Sequence, residues 1–441
     1  MLSKTVFGLL CLTCVSAMIP SMFDVPLQHV NSRVSADQGK LVFLQAVWRH
    51  GDRAPEYQFP SDTNDWSDIG LGQLTVTGME DHLTLGDKLR TRYINALGFV
   101  GSRYRYDEIY IRSTDVNRTL ISALSNMIGF YSTNTANVDY PNATHWPRNF
   151  VPIPVHTEQR STDYIGNVDR DCKRSGALRK LLKETEKYKK LESDNNEFFE
   201  TVAKIANMSK VDLSNLWMIS DDVFITQKYN KSLPDGFTDD VIEKIYDIAD
   251  ETDKALYGMG YGTYKGVDLS IEIPKVKGGP LLWSLIDHMQ EKVSCIENKN
   301  DKNCHWLNPL KYHVYSAHDT TLSGLFSTFG FNQTDYNKKG LPDYASAFTI
   351  ELWENDGNYT VTVLYWPPKD KENFQDITHL ISGCEEICDL DTFVKRSEIY
   401  NTVNPEQLCN DDQFPPQDNS GSMASISVLL MFLAAFISLL N

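Results

Sequence analysis

Apolar residues along this chain recur with two periods. Leu41, Val42, Phe43, Leu44, Ala46, Val47 and Trp48 form a nearly unbroken run, the mark of a strand buried on both faces. Glu108 to Arg112 and Tyr312 to Ala317 are shorter runs of the same kind. Each run leads into a segment with helical spacing. The first is predicted from about Thr77, with Thr77 and Glu80 as a capping box and Met79, Leu83, Leu89 and Tyr93 as its apolar stripe. The second carries Leu120, Leu124, Met127 and Ile128 behind Ser113-Thr114-Asp115 as N-cap chemistry. The third runs from Thr320 to Phe329. Repeated strand, turn and helix predict an α/β fold whose mostly parallel sheet is flanked by helices. Ala347 to Trp353 and Tyr359 to Trp366 alternate around Asn355-Asp356-Gly357-Asn358, a hairpin signal.

Between Arg170 and Tyr257 strand-like alternation disappears. Charged helical segments, Ala177 to Leu191 and Val241 to Leu256 among them, predict a smaller helical cap domain over residues 161–265. It interrupts an α/β domain made of residues 39–160 and 266–400, which a helix from Leu281 to Val293 rejoins. Residues 401–425, rich in Asn, Asp, Gln and Pro, read as a linker.

The two ends change the picture. Lys4, the apolar stretch Val6 to Val15 and the small-residue site Val15-Ser16-Ala17 read as a signal peptide over residues 1–17. Residues 426–441 form a second apolar stretch, short for a membrane span and without a basic flank. A cleaved lipid-anchor signal fits it better than a retained span. Removal of the leader leaves Cys172, Cys295, Cys304, Cys384, Cys388 and Cys409. In an oxidising compartment these suggest three disulfides: two local loops, Cys295–Cys304 and Cys384–Cys388, and the long-range pair Cys172–Cys409. No histidine pair stands near them at metal-ligand spacing, which weakens a zinc reading. Sequons at Asn142, Asn207, Asn230, Asn332 and Asn358 are expected to carry glycans. Asn117 starts a sixth, expected to stay bare on a packed helix.

The formal charge is −17, from 42 basic and 59 acidic residues, which argues against a nucleic-acid partner. Against that background the basic residues at strand ends stand out. Arg49-His50-Gly51-Asp52-Arg53-Ala54-Pro55 follows the first strand, Arg112 ends the second, and His318-Asp319 follow the third. Ligands of open α/β sheets bind at the carboxyl ends of the strands. Three arginines there suit the oxygens of a phosphoryl group, one histidine suits a nucleophile, and Asp319 suits a proton donor. Taken singly, Arg112 reads equally well as a surface ion-pair residue and His318 as a satisfied turn histidine.

The seven-residue segment resembles the signature of the histidine acid phosphatases, within the wider phosphoglycerate-mutase-like fold. Ile111-Arg112-Ser113-Thr114-Asp115, Pro152 to Thr157, Tyr315 to Thr321 and Gly383 to Cys388 extend the resemblance over nearly all of Leu41 to Cys409. It implies His50 as nucleophile and Asp319 as proton donor. It implies further that Arg49, Arg53, Arg112 and His318 bind the phosphoryl group of a phosphate monoester, with no metal or cofactor. The Cys172–Cys409 and Cys384–Cys388 pairings follow the family pattern, whereas Cys295–Cys304 does not. A homodimer is also implied, although Phe150 replaces the usual tryptophan near the family's dimer interface. The alternatives are a phytase-type phosphatase and a surface glycoprotein that binds phosphorylated ligands without turnover. An acid phosphatase of the secretory pathway, at the cell surface, secreted or in the lysosomal lumen, is the leading expectation.

Overall fold

The computed structural model describes residues 39–298, 301–335, 339–367, 374–411 and 414. The expected signal peptide, most of the linker and the apolar tail lie outside them. Among the described residues no helix is long and apolar enough to cross a membrane.

An eight-stranded mixed sheet carries the molecule. Its strands are β1 (Lys40–Arg49), β2 (Ile109–Thr114), β3 (His156–Glu158), β6 (Tyr312–Ala317), β7 (Ala347–Asn355), β8 (Asn358–Trp366), β9 (Gln375–Asp376) and β10 (Cys388–Asp389). The strand order is β10-β8-β7-β1-β6-β2-β3, with β9 beside β8. β1, β6, β2 and β3 are mutually parallel, and the β7–β8 hairpin extends the sheet antiparallel from β1. A separate two-stranded hairpin joins β4 (Thr263–Tyr264) and β5 (Val267–Asp268).

β1 shows why its sequence is apolar throughout. Leu44, Ala46 and Trp48 pack under α1 (Val76–Arg90), a π-helical turn (Thr91–Ala96) and α2 (Asn117–Phe130). Phe43 and Val47 pack on the other face, under α9 (Gly279–Glu297), α10 (Asp319–Phe329) and α11 (Leu390–Ser397). A register shift between Leu41 and Phe43 puts Leu41 on the first of these faces. In the β7–β8 turn, Asp356 and Gly357 both take positive φ, at 51° and 82°, as a two-residue hairpin of this hand requires.

The helix starts and faces differ from the spacing prediction. Thr75, rather than Thr77, caps α1, accepting from the Gly78 amide. β2 runs on through Ser113 and Thr114, so α2 begins behind Val116 instead. Met79, Leu83, Leu124 and Ile128 are exposed. The two helices meet on glycines: an added Cβ at Gly86 would lie 2.1 Å from the Asn126 carbonyl oxygen, and one at Gly129 2.1 Å from that of Leu83. Backbone contact, not the largest side chains, sets the buried face.

Between Lys173 and Leu256 the chain forms α3 (Lys173–Glu184), α4 (Glu186–Ser193), α5 (Asn196–Ala206), α6 (Leu216–Lys228) and α7 (Asp239–Leu256), followed by α8 (Leu269–Lys277). The helix expected from Ala177 to Leu191 is broken at Thr185, whose side chain caps α4. These helices share a core of their own around Leu182, Phe199, Val202, Ile219, Val223 and Ile245. The first residues of the expected linker are ordered, with α12 (Pro405–Cys409) tied to the start of α3 through Cys172–Cys409. Cys295–Cys304 and Cys384–Cys388 are the other two disulfides. Asn142, Asn207, Asn230, Asn332 and Asn358 are exposed. Asn117 is exposed too, at the first turn of α2, contrary to the packed position expected for it.

Candidate active site

His50 lies just past the end of β1, where its backbone amide bonds to the Ala317 carbonyl of β6. The imidazole is 1 % exposed, and its Nδ1 lies 2.8 Å from the Gly51 carbonyl oxygen. A carbonyl only accepts, so Nδ1 carries the proton and the lone pair sits on Nε2. Burial, then the charges of Arg118, Arg49 and Arg53, push its pKa well below the ordinary histidine value. The ring is therefore neutral and its Nε2 is a competent nucleophile.

The loop holding His50 rests on the first turn of α1. An added Cβ at Gly51 would lie 2.1 Å from the Gly78 carbonyl oxygen, and one at Gly78 2.2 Å from that of Asp52. Both positions demand glycine because two backbones touch there. Asp52 is buried, accepting from Thr75 at 2.6 Å and bound by Tyr229 and Lys228 at the end of α6.

Three arginines surround His50. Arg49 pairs with Asp319 at 2.8 Å, donates to the Pro342 carbonyl at 2.5 Å and lies 4.1 Å over the Tyr344 ring. Arg53 makes a two-pronged contact with Asp221 of α6, at 2.8 and 2.9 Å. The third is Arg118, on the first turn of α2 and paired with Glu56. His318, the N-cap of α10, has its ring 5.6 Å from that of His50 and its Nε2 2.9 Å from the Thr114 hydroxyl. Burial and Arg118 take its pKa down to about 3, so it too is neutral. Asp319 opens α10, its carboxylate accepting from the Thr320 amide at 2.7 Å. Burial raises its pKa, but Arg49 and Arg53 outweigh that and leave it below the usual carboxylate value.

Arg112 does not join this group. β2 extends two residues beyond it, and Arg112 pairs in register with Tyr315 of β6, on the sheet face that carries Tyr315 and away from His50. It pairs with Asp163 at 2.5 Å and Glu158 at 3.0 Å, beside a separate cavity of about 360 Å³ lined by Tyr110, His288, Trp306 and His313. Arg118 takes the place assigned to it. Its place in the first turn of a helix that follows a strand's carboxyl end was a partial signal, which the observed end of β2 was needed to resolve.

Two neutral histidines, three guanidinium groups and a carboxylate thus converge at the carboxyl ends of β1 and β6 and at the amino ends of α2 and α10. That arrangement binds an oxyanion and offers both a nucleophile and an acid. Residues 40–366 match the model of the histidine phosphatase superfamily (branch 2). The chain belongs to that superfamily. As a member it is a phosphatase, a hydrolase of phosphoric monoesters. It is 30% identical to human prostatic acid phosphatase over 83% of this chain and 86% of that one. It is also 30% identical to the lysosomal acid phosphatase of Xenopus laevis, over 92% and 87% of the respective chains. The fold is similar to that of the Citrobacter braakii phytase, with a TM-score of 0.55, 14% identity, and 82% of this chain and 98% of that one covered.

Proposed function

We propose that this superfamily member is an acid phosphatase of the secretory pathway that works through a phosphohistidine on His50. Arg49, Arg53, Arg118 and His318 hold the non-bridging oxygens. The His50 Nε2 lone pair attacks phosphorus as the P–O bond to the leaving group breaks, and Asp319 gives its proton to the departing oxygen. Asp319, now a carboxylate, takes a proton from water, whose oxygen attacks the phosphohistidine and releases inorganic phosphate. The observation that carries this reading is the buried, neutral His50 with Nδ1 bound to the Gly51 carbonyl, which leaves Nε2 for phosphorus. Rapid quenching with a radiolabelled aryl phosphate should yield an acid-labile label on His50 that is lost in His50→Ala. Label retained at the wild-type level in that variant would overturn the assignment.

Residues 161–265 serve in this reading as a cap domain that shapes the leaving-group side. A homodimer, and attachment to the membrane through a lipid whose addition removes the apolar tail at residues 426–441, complete it. Light scattering on the purified protein tests the first. Release of activity from intact cells by a phosphatidylinositol-specific phospholipase tests the second.

A further inference from the structure

Asp221 and Glu56 stand beside the phosphoryl site, where the mechanism above gives them no role. Asp221, on α6, meets both terminal nitrogens of Arg53 with a side chain only 15% exposed. Glu56, from the loop after β1, pairs with Arg118. With the Arg49–Asp319 pair, each of the three arginines faces one carboxylate, so these six groups carry no net charge when all are ionised. Lys228, the next cation along α6, is tied to the buried Asp52. Arg160 acts on His318 from an exposed position. Further along α6 from Asp221, Phe224 is 45% exposed, its ring 6.3 Å from that of Tyr344.

In the phosphatase reading, one phosphoryl group takes the place of these carboxylates as the arginines' partner. A substrate with additional phosphates brings further negative charge to Asp221 and Glu56, and the arginines are already engaged. Like charges at such separations disfavour binding even after screening. We propose that Asp221 and Glu56 form an acidic collar that restricts the enzyme to monoesters of uncharged or cationic leaving groups, with Phe224 as their apolar rest, and excludes polyphosphorylated ones. The inference rests on the phosphatase reading above and narrows its substrate class.

The test compares kcat/KM for phenyl phosphate, phosphoethanolamine and inositol hexakisphosphate in the wild type, Asp221→Asn and Glu56→Gln. Wild-type protein should prefer phenyl phosphate to the hexakisphosphate. Each variant should shrink that preference about fivefold to tenfold, mainly through KM for the hexakisphosphate. The ratio cancels any general change in phosphoryl affinity caused by freeing Arg53 or Arg118. Calorimetric binding of inositol hexakisphosphate, measured against inorganic phosphate on the same three proteins, reads the collar without turnover. Tighter hexakisphosphate binding in both variants, with phosphate binding changed less, supports it even if the phosphatase reading fails on phenyl phosphate. A wild type that processes or binds the hexakisphosphate as well as the monoester, or unchanged ratios in both folded variants, overturns it.

Discussion

At the scale of single residues, the ionisation of Asp319 links the apo structure to pH dependence. Burial pushes its pKa up, but Arg49, Arg53, His318 and the Thr320 amide outweigh that and hold it below the usual carboxylate value. In the proposed mechanism Asp319 must be protonated to act as the acid, so a lowered pKa leaves the free enzyme mostly in the unprotonated form at neutral pH, and acid favours catalysis. A bound phosphoryl group competes for Arg49 and adds negative charge, both of which raise the Asp319 pKa. The alkaline limb of kcat should therefore lie at higher pH than that of kcat/KM, for alkyl phosphates. In Asp319→Asn, single-turnover phosphorylation should fall steeply for alkyl phosphates and much less for phosphates of acidic phenols. Equal losses across that series would make Asp319 a positioning group. The arginine assignment is equally testable. Arg118→Ala should cost roughly 10²- to 10³-fold in kcat/KM, the scale of losing one donor to the transition-state oxyanion. Arg112→Ala should leave kcat/KM nearly unchanged, since Arg112 serves Asp163 and Glu158.

At the scale of elements, the packing of α1 controls both site and stability. Gly78→Ala would push the first turn of α1 away from the Asp52 carbonyl and so displace His50, with no change to any chemical group of the site. Activity should collapse while the far-ultraviolet circular dichroism stays native-like. Where α1 passes into the π-helical turn, Arg92 reaches the fully buried Glu351 of β7 with two contacts, at 2.7 and 2.9 Å. Tyr93 and Trp353 donate to the same carboxylate, at 2.6 and 3.0 Å. Glu351→Ala would leave Arg92 buried without its partner, a change that costs about 3–5 kcal/mol. A denaturant melt should show that loss. A shift below about 1 kcal/mol would mean that water or a rearranged neighbour replaces the carboxylate.

At the scale of the whole molecule, Cys172–Cys409 joins positions 237 residues apart, whereas Cys384–Cys388 spans only 4. Closing a longer loop removes more entropy from the unfolded chain. The double substitution Cys172→Ser/Cys409→Ser should cost about 2–5 kcal/mol. Cys384→Ser/Cys388→Ser should cost less, with both read as Tm shifts under oxidising conditions. The first pair also holds α12 to α3, so its loss should make the last described residues susceptible to protease before the sheet unfolds. Continued protease resistance there would show that Arg174, which pairs with Glu272 and Asp411, is enough to hold the segment.

By itself the sequence determined the strands at Leu41, Tyr312 and Ala347, the hairpin at Asp356-Gly357, and the placing of His50, Arg53 and Asp319 at strand ends. These follow from apolar period and turn chemistry, which are local properties of the chain. Only the tertiary structure decided between Arg112 and Arg118. That choice depended on where β2 stops, and its last two residues are held by pairing with β3 and β6 rather than by their own preferences. It also decided that α1 and α2 bury glycines and expose Met79 and Ile128, because close backbone contact outweighs side-chain hydrophobicity when two helices cross. The carboxylates facing Arg53 and Arg118 were invisible for the same reason. Asp221 stands 168 residues from its arginine, and no spacing rule reaches across that distance.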